Sequence, residues 1–239
     1  MVSIGSPPQL SSPVKLGCFV EMYKWEAETR PDPATEMEAE AEAAEVTLRE
    51  FTEADAEALF AWASDPRVVR FQRRDAYSHV DEARRYIVDK VLPHPWYRAI
   101  CVAGADRPVG SISVKPADDL PLPEPESETG RLRSGCCRAS VGYRVAHAHW
   151  GRGVATRAVR AVAEAVLAEW PWLERLEAVA DVENPASQRV LEKAGFAREG
   201  VLRRYVVLKG RPRDMVMFSR VRADLEEKPA QAHGPSDGV

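Results

Sequence analysis

A glycine-containing loop at His149–Thr156 (H-W-G-R-G-V-A-T) has the residue types that bind an anion. Gly151 and Gly153 permit positive φ angles, so the backbone can approach a ligand closely. The helical pattern that begins at Val154 leaves its first N–H groups without intrahelical partners, and these donors act with the helix dipole to attract negative charge. Basic side chains follow at Arg152, Arg157 and Arg160. We therefore predict that a phosphate-bearing ligand binds here.

The loop does not match either common nucleotide-binding pattern. It lacks the G-x-x-x-x-G-K-[ST] form of a P-loop, and it lacks the third glycine of the dinucleotide-binding loop. A bare G-x-G is a weak signal that a structural turn explains equally well. The loop alone therefore leaves the identity of the ligand open.

A second segment with chemical potential is Asn184–Phe196 (N-P-A-S-Q-R-V-L-E-K-A-G-F). Asn184 can end a strand with its side-chain amide free, and Pro185 suits the first position of a helix. Ser187 is predicted to face back over the helix start, and Gly195 suits the position just after the helix end. Two cations one helical turn apart follow at Arg189 and Lys193. By itself, this pattern is better explained as an ordinary helix with good caps.

Taken together at this spacing, the two segments resemble the GNAT superfamily of N-acetyltransferases. The similarity is strongest to the branch of bacterial ribosomal-protein N-terminal acetyltransferases and their plant relatives, and it covers residues 46–222. The closing stretch from Arg203 to Phe218 also resembles that branch. The resemblance implies an enzyme that transfers the acetyl group of acetyl-CoA to a primary amine without a metal ion.

The resemblance also implies roles for individual residues. The loop that enters the central helix would bind the pyrophosphate of coenzyme A, and the preceding strand, Val141–Ala146, would hydrogen-bond the pantetheine arm. The helix start from Asn184 to Ser187 would contact the pantetheine and its thiol end. The predicted cofactor-binding residues are Arg144, Val145, Ala146, Trp150, Gly151, Arg152, Gly153, Val154, Ala155, Thr156, Asn184, Ser187, Arg189 and Lys193.

Acetyl transfer needs a neutral amine, stabilisation of the developing oxyanion and a proton for the departing thiolate. Backbone N–H groups at the distorted strand end near Val145 are the predicted oxyanion donors. The resemblance makes Ser187 the candidate catalytic proton donor, with Asn184 positioning the cofactor or a water molecule. Tyr205 is a second candidate donor, and a half-buried strand tyrosine is the alternative interpretation of that residue.

The sequence does not identify a general base. Members of the branch often carry a glutamate shortly before the Gly-Tyr pair of the central strand, and Ser140 occupies that position here. His147 and His149 flank the loop and are candidates for a base, for packing or for metal ligation, although no third ligand is in view. Without a carboxylate base, a low-pKa acceptor is favoured: about a tenth of α-amino groups are neutral at pH 7, against less than about a thousandth of lysine side chains.

The acceptor is therefore predicted to be a protein N-terminal α-amino group or a small primary amine. A coenzyme-A-binding module that kept the fold and lost the reaction is the alternative, because Ser140 replaces the expected carboxylate. An antibiotic-modifying acetyltransferase is a third possibility. Oligomeric state is left open between monomer and homodimer.

The elements that must position these residues alternate along the chain in the order β, helices, β-β-β, α, β, α, β-β. The predicted strands are Val46–Phe51, Tyr97–Val102, Val109–Val114, Ala139–Ala146, Leu176–Ala180, Phe196–Leu208 and Met215–Val221. The first predicted helix begins after the cap residue Thr52, and the next three span His79–Leu92, Val154–Glu169 and Ala186–Ala194. This order predicts one α/β domain with a mixed central sheet flanked by helices and a parallel crossover through the third helix.

The composition distinguishes the tails from the domain and argues against several classes of protein. Residues 1–45 (Ser/Pro-rich, then a Glu/Ala run) and residues 223–239 are predicted to be disordered, and residues 116–135 to form a surface excursion. A net charge of −4 gives no reason to expect nucleic-acid or membrane binding. Four cysteines without a C-x-x-C pair indicate reduced thiols in a cytoplasmic protein rather than a zinc site or disulfides. Organelle import is a weaker alternative, because arginine is scarce in the Ser/Pro-rich start.

Overall fold

The computed structural model describes residues 45–102, 104–117 and 135–226. The predicted N-terminal tail as far as residue 44, most of the predicted surface excursion and the residues after 226 lie outside the described residues. Among the described residues, no helix is long and apolar enough to cross a membrane.

Seven strands form one sheet in the order β1-β2-β3-β4-β5-β7-β6. Neighbouring strands are antiparallel except β4 and β5, which run parallel on either side of a helical crossover. The mixed α/β sheet predicted from the sequence is therefore confirmed. The strands are β1 Val46–Arg49, β2 Tyr97–Val102, β3 Gly110–Pro116, β4 Arg138–Val145, β5 Arg175–Asp181, β6 Ala197–Leu208 and β7 Arg211–Val221.

The helices follow the predicted positions with two differences. They are α1 Ala56–Ala63, α2 Pro66–Val69, α3 Val80–Tyr86, α4 Val154–Glu169, α5 Pro185–Lys193 and α6 Ala223–Glu226. The predicted helix His79–Leu92 is α3 followed by a π-helical turn, Ile87–Val91, in which the Leu92 N–H donates to the Ile87 carbonyl. The last helix, α6, begins inside the predicted C-terminal tail.

The sheet has an apolar cluster on each face because its side chains alternate along the strands. On one face, α1 and α3 pack against the odd-numbered residues of β2, including Tyr97 and Ala99. On the other face, α4 packs against β4 and β5, and Ile100 of β2 joins this larger cluster. Helix α4 buries an apolar stripe from Val154 to Leu167, as its 3.6-residue periodicity predicts.

The two parallel strands at the centre of the sheet separate along their length. β4 and β5 pair only at their first residues, where Arg138, Ala139 and Ser140 lie opposite Arg175, Leu176 and Glu177. β4 continues to Val145 and β5 to Asp181, and each keeps its other neighbour in register. Within the described part of the chain, the second half of β4 therefore faces a gap in the sheet.

Candidate functional site

The loop between β4 and α4 is arranged around two left-handed glycines. Gly151 and Gly153 both have φ of 71°, and Gly153 is the N-cap residue of α4. No side chain caps this helix, and its first backbone hydrogen bond runs from the Arg157 N–H to the Gly153 carbonyl. Because the first-turn N–H groups of a helix have no intrahelical partners, the N–H groups that precede Arg157 are positioned to donate to an anion.

Side-chain burial within the loop limits how these residues can contact a ligand. Val154 and Thr156 are buried against the core, so only their backbone groups are positioned to meet a ligand at the helix start. Arg152 is exposed beside them. This arrangement favours an anion held mainly by main-chain donors, as the glycines predicted.

Trp150 attaches the loop to the end of the strand. Its indole Nε1 donates to the Val145 carbonyl at 2.8 Å, and its ring lies 4.8 Å from that of His147. The side chain is still 48% exposed. Trp150 was predicted as a cofactor contact, and its indole also has a structural role because its hydrogen bond links the loop to the end of β4.

The backbone of β4 presents alternate residues to the gap. The Ala146 N–H donates to the Val109 carbonyl at 2.7 Å, so the even-numbered residues of this strand bond to β3. The odd-numbered residues Val141, Tyr143 and Val145 consequently turn their N–H and C=O groups toward the gap. The predicted cofactor-binding residues Arg144 and Ala146 therefore direct their backbone groups to β3, whereas the N–H of the predicted residue Val145 is on the side of the gap.

A hydrogen-bonded pair connects β4 to the start of α5 across the gap. The Tyr143 hydroxyl lies 2.8 Å from Ser187 Oγ and donates to the Ser187 carbonyl at 3.1 Å. Burial raises the pKa of Tyr143 to about 12, with the Ser187 contact opposing the shift, so this phenol keeps its proton at neutral pH. Sequence analysis missed Tyr143, although the Gly-Tyr pair before the loop was a signal.

Asn184 has a structural role that is visible in its contacts. Its side-chain oxygen accepts the Ser187 N–H at 3.2 Å and thereby caps α5. The side-chain NH₂ group makes no hydrogen bond to another described residue that would compete with a ligand. The same side chain can therefore cap the helix with its oxygen and present a donor with its nitrogen.

We expect Asn184→Ala to lower the free energy of unfolding by about 1 kcal/mol, because the N-cap is lost. Asn184→Asp keeps a capping oxygen and should retain wild-type stability. We expect both variants to lose turnover, because neither has an amide donor. Urea denaturation and steady-state kinetics check the two effects separately. Wild-type turnover in the aspartate variant would restrict Asn184 to capping.

A cleft of about 230 Å³ opens beside the end of β5. Its residues come from the segment after α2, from the end of β5 and from the β6–β7 turn, and they are Arg70, Phe71, Asp181, Glu183, Leu208, Lys209, Arg211 and Arg213. Asp181, whose side chain is 1% exposed, forms two 2.7 Å hydrogen bonds with Arg213. Burial raises the pKa of Asp181, but Arg213 and the Glu183 N–H outweigh burial and keep that pKa below its usual value. Asp181 is therefore a charged, paired group.

Comparison with known proteins assigns this arrangement to a family. The profile of the Acetyltransferase (GNAT) domain matches residues 45–197. The chain belongs to the GNAT acetyltransferase family. It is 31% identical to the uncharacterized N-acetyltransferase p20 of Bacillus licheniformis over 75% of this chain and 94% of that protein. It is 29% identical to the uncharacterized N-acetyltransferase YoaA of Bacillus subtilis over 73% of this chain and 92% of that protein. The chain is thus an N-acetyltransferase.

Solved GNAT structures share the fold at lower identity. A GNAT-family acetyltransferase from Bacillus anthracis superimposes with a TM-score of 0.62 at 20% identity, over 76% of this chain and 98% of that one. AAC(6')-Ib in complex with ribostamycin and coenzyme A gives 0.58 at 20% identity, over 78% and 99%. Spermidine N-acetyltransferase from Vibrio cholerae, in complex with coenzyme A and spermine, gives 0.56 at 18% identity, over 75% and 96%. These similarities show the GNAT fold.

Within this GNAT domain, Tyr205 lies in an irregular part of β6. Residues 203–205 bulge between the pairs Leu202↔Met215 and Val206↔Arg213. The Arg204 N–H donates to Asp214 Oδ1, and the carbonyl of Asp214 accepts the N–H of Val182 beyond β5. Tyr205 is 56% exposed, so its ring is partly covered by the sheet and partly accessible to a ligand. The bulge holds this tyrosine at the rim of the sheet, beside the end of β5.

The remaining predicted groups are dispersed around the GNAT loop. The His147 ring contacts Trp150, and the pKa of His149 is lowered by burial and by Arg152, which favours a neutral imidazole. Ser140 is exposed, with its hydroxyl 3.5 Å from the Lys115 carbonyl. Within the described residues, no three His, Cys, Asp or Glu side chains gather to hold a metal ion. Arg189 is exposed on α5, and the Lys193 carbonyl accepts from Arg160 at 2.7 Å.

Proposed function

We propose that this protein transfers the acetyl group of acetyl-CoA to a low-pKa primary amine, most simply the α-amino group of a peptide or of a small amino compound. The observation that carries the proposal is the gap between β4 and β5, which opens beside the glycine loop at the start of α4. An unpaired strand edge and an uncapped helix start in one place suit a ligand with an extended amide arm and a phosphate end.

The coenzyme fits the groups that line this gap. The N–H groups from Gly151 to Thr156 would hold the pyrophosphate, with Arg152 contributing positive charge. The C=O group of Val141 and the N–H and C=O groups of Tyr143 would pair with the amides of the pantetheine arm, beyond the strand pairing that ends at Ser140. The acetyl thioester would then lie near Ser187, at the start of α5.

In the reaction, the amine nitrogen forms a bond to the thioester carbonyl carbon, the C–S bond breaks, and the thiolate takes a proton. N–H groups on the gap side of β4, including that of Val145, would donate to the carbonyl oxygen as negative charge develops. Ser187 would donate the proton to sulfur, the Tyr143 hydroxyl would turn from the Ser187 carbonyl to Oγ and replace that proton, and water would then reprotonate Tyr143. The proton lost from the amine would pass to water, because Ser140 supplies no carboxylate.

The acceptor proposal is supported by proton chemistry. About a tenth of an α-amino group is neutral at pH 7, so it needs little help from a base. This is also the acceptor used by the ribosomal-protein N-terminal acetyltransferase branch that the sequence resembles. AAC(6')-Ib and spermidine N-acetyltransferase, whose folds are similar, were solved with ribostamycin and spermine, and those ligands define a competing class of small cationic amines.

A thiol-release assay with acetyl-CoA tests the proposal. The panel would contain N-terminal peptides, the same peptides with a blocked N-terminus and one lysine, spermidine, and an aminoglycoside. We expect release with free α-amino groups, with a rate that rises with pH and levels above the amine pKa of about 8. The blocked lysine peptide is the matched control and should be at least about 100-fold slower at pH 7, because its neutral fraction is smaller. Coenzyme binding without release from any amine would instead support a non-catalytic module.

A further inference from the structure

Two arginines lie together on the face of the sheet opposite α4. Arg144 belongs to β4, and Arg74 follows α2 along the chain. Both guanidinium groups lie over the ring of Tyr86 on α3, at 4.8 Å for Arg74 and 5.6 Å for Arg144. The Arg74 guanidinium also lies 4.2 Å from the centre of the Tyr77 ring. The two side chains thus share the Tyr86 ring as a contact, and we call them the arginine pair.

Most of the terminal guanidinium nitrogens of the pair lack a hydrogen-bond acceptor. Nη1 and Nη2 of Arg74 and Nη1 of Arg144 are buried without a hydrogen-bond partner. The remaining bonds are weak or neutral: Arg144 Nη2 donates to the Tyr86 hydroxyl at 2.9 Å, and Arg74 Nε donates to Gln72 Oε1 at 3.3 Å. Among the described residues, no carboxylate forms an ion pair with either arginine.

This arrangement is unfavourable as it stands. Burying an unpaired charge costs several kcal/mol, and two like charges side by side add to the cost. The pKa of Arg74 is correspondingly lowered, first by burial and then by the charge of Arg144. Buried donors in native proteins almost always have a partner. Three buried guanidinium nitrogens without a hydrogen-bond partner, on two arginines that contact the same tyrosine ring, therefore favour an anionic ligand.

The position of the pair relates it to the acceptor rather than to the coenzyme. Arg144 lies in the half of β4 that borders the gap, between Tyr143 and Val145. Because side chains alternate across a strand, Arg144 points away from α4, whereas Tyr143 reaches Ser187 on the other side. Arg70 and Phe71 line the cleft, and Arg74 is only a few residues further along the chain. The pair therefore lies on the opposite face of the sheet from α4, next to the part of β4 that borders the gap.

We propose that Arg74 and Arg144 bind a carboxylate of the acceptor, so the preferred acceptor is an amine that also carries a negative charge. This inference rests on the proposed acetyl transfer. The planar fork of a guanidinium group matches the two oxygens of a carboxylate. The carboxylate could be the α-carboxylate of a free amino acid or the acidic side chain of a peptide N-terminus. Polycationic amines such as spermidine are disfavoured as acceptors, because the positive charges of Arg74 and Arg144 would repel them.

Matched acceptors test the proposal in the wild-type enzyme. One arm compares peptides that begin with Asp or Glu with peptides that begin with Asn or Gln. The other arm compares free amino acids with their carboxamides. We expect kcat/KM to be about 10- to 100-fold higher for the acid in one arm, the range for hydrogen bonds to a charged group, and that arm identifies the source of the carboxylate. Equal rates for acid and amide in both arms would overturn the proposal.

A variant assigns the selectivity to the pair. Arg74→Gln should bring the acid-to-amide ratio of kcat/KM close to one. Arg67→Gln is the matched control, because Arg67 is exposed and pairs with Asp65, and it should keep the wild-type ratio. A ratio that survives in Arg74→Gln would overturn the assignment. Thermal melts verify that the variant is folded.

Direct binding separates this inference from the proposed function. Glutamate and glutamine, titrated into the wild-type protein by NMR without acetyl-CoA, should differ in affinity even if no amine is acetylated. Acetylation of amides at the same rate as acids would leave the proposed function intact and refute the carboxylate site. Equal affinities for glutamate and glutamine would refute the carboxylate site. If the wild-type protein then also shows a tyrosinate absorption that Tyr86→Phe lacks, an ionised Tyr86 supplies the negative charge that balances the arginines.

Discussion

Gly153→Val is expected to weaken coenzyme A binding at least about 100-fold while the domain stays folded. Gly153 caps α4 at φ 71°, a conformation that is a genuine outlier for a β-branched residue. Valine would turn the first N–H groups of α4 away from the phosphate position, and each lost hydrogen bond to a charged group is worth about 1.5–3 kcal/mol. Isothermal titration calorimetry with coenzyme A measures the effect.

Gly104→Val provides the control for backbone strain. Gly104 has φ of 81° in the β2–β3 turn, and no atom lies within 4 Å of the place that a Cβ would take there. Both substitutions should cost about 1–3 kcal/mol of stability, which a domain with about 5–15 kcal/mol tolerates. Only the Gly153 variant should lose affinity. Unchanged coenzyme affinity in that variant would refute the placement of the pyrophosphate at this loop.

Ser187→Ala is expected to reduce kcat about 100-fold with little change in the KM for acetyl-CoA. A positioned proton donor contributes about 10²–10⁴ to rate, and water would replace part of that. Tyr143→Phe should reduce kcat less, because it removes the partner of the donor rather than the donor itself. The double variant should be no slower than Ser187→Ala, since groups that act as a unit are not additive.

Two comparisons make this second prediction decisive. Ser140→Ala is the matched serine control, because Ser140 is exposed on the same strand as Tyr143, and it should turn over at the wild-type rate. Tyr205→Phe examines the competing donor in the β6 bulge. A large loss of kcat in Tyr205→Phe, with normal kcat in Ser187→Ala, would transfer the proton-donor role to Tyr205.

Local patterns predicted the elements and the loop well, because their causes lie within a few residues. Helix α4 spans Val154–Glu169 in the structure as the apolar periodicity predicts. Gly151 and Gly153 have the positive φ angles that their spacing suggested. The Thr52–Asp55 cap is present, with the Thr52 N–H donating to Asp55 Oδ2. The π-helical turn at Ile87–Val91 was not predicted. Its backbone hydrogen bond spans five residues instead of four, and one such turn barely changes the apolar pattern of the helix.

Register and side-chain direction were beyond the reach of local patterns. The sequence places Val141–Ala146 on a strand, but only the pairing with β3 decides which backbone groups face the gap. Trp150 is predicted to contact the ligand, and only the structure shows that its indole also donates a hydrogen bond to the Val145 carbonyl. The direction of the β4 backbone groups depends on which strand β4 pairs with, and a one-residue change of register would reverse it.

The amino-acid sequence by itself determined the α/β fold and the GNAT family, and it predicts the anion-binding role of the loop at Gly151–Gly153. The tertiary structure alone decided where β4 and β5 part, that Tyr143 meets Ser187 across the gap, and that Arg74 lies beside Arg144 without a counter-charge among the described residues. The physical reason is range: glycine conformation and helix dipoles act within a few residues, whereas these contacts join elements that are distant in the chain and meet only when the sheet is assembled.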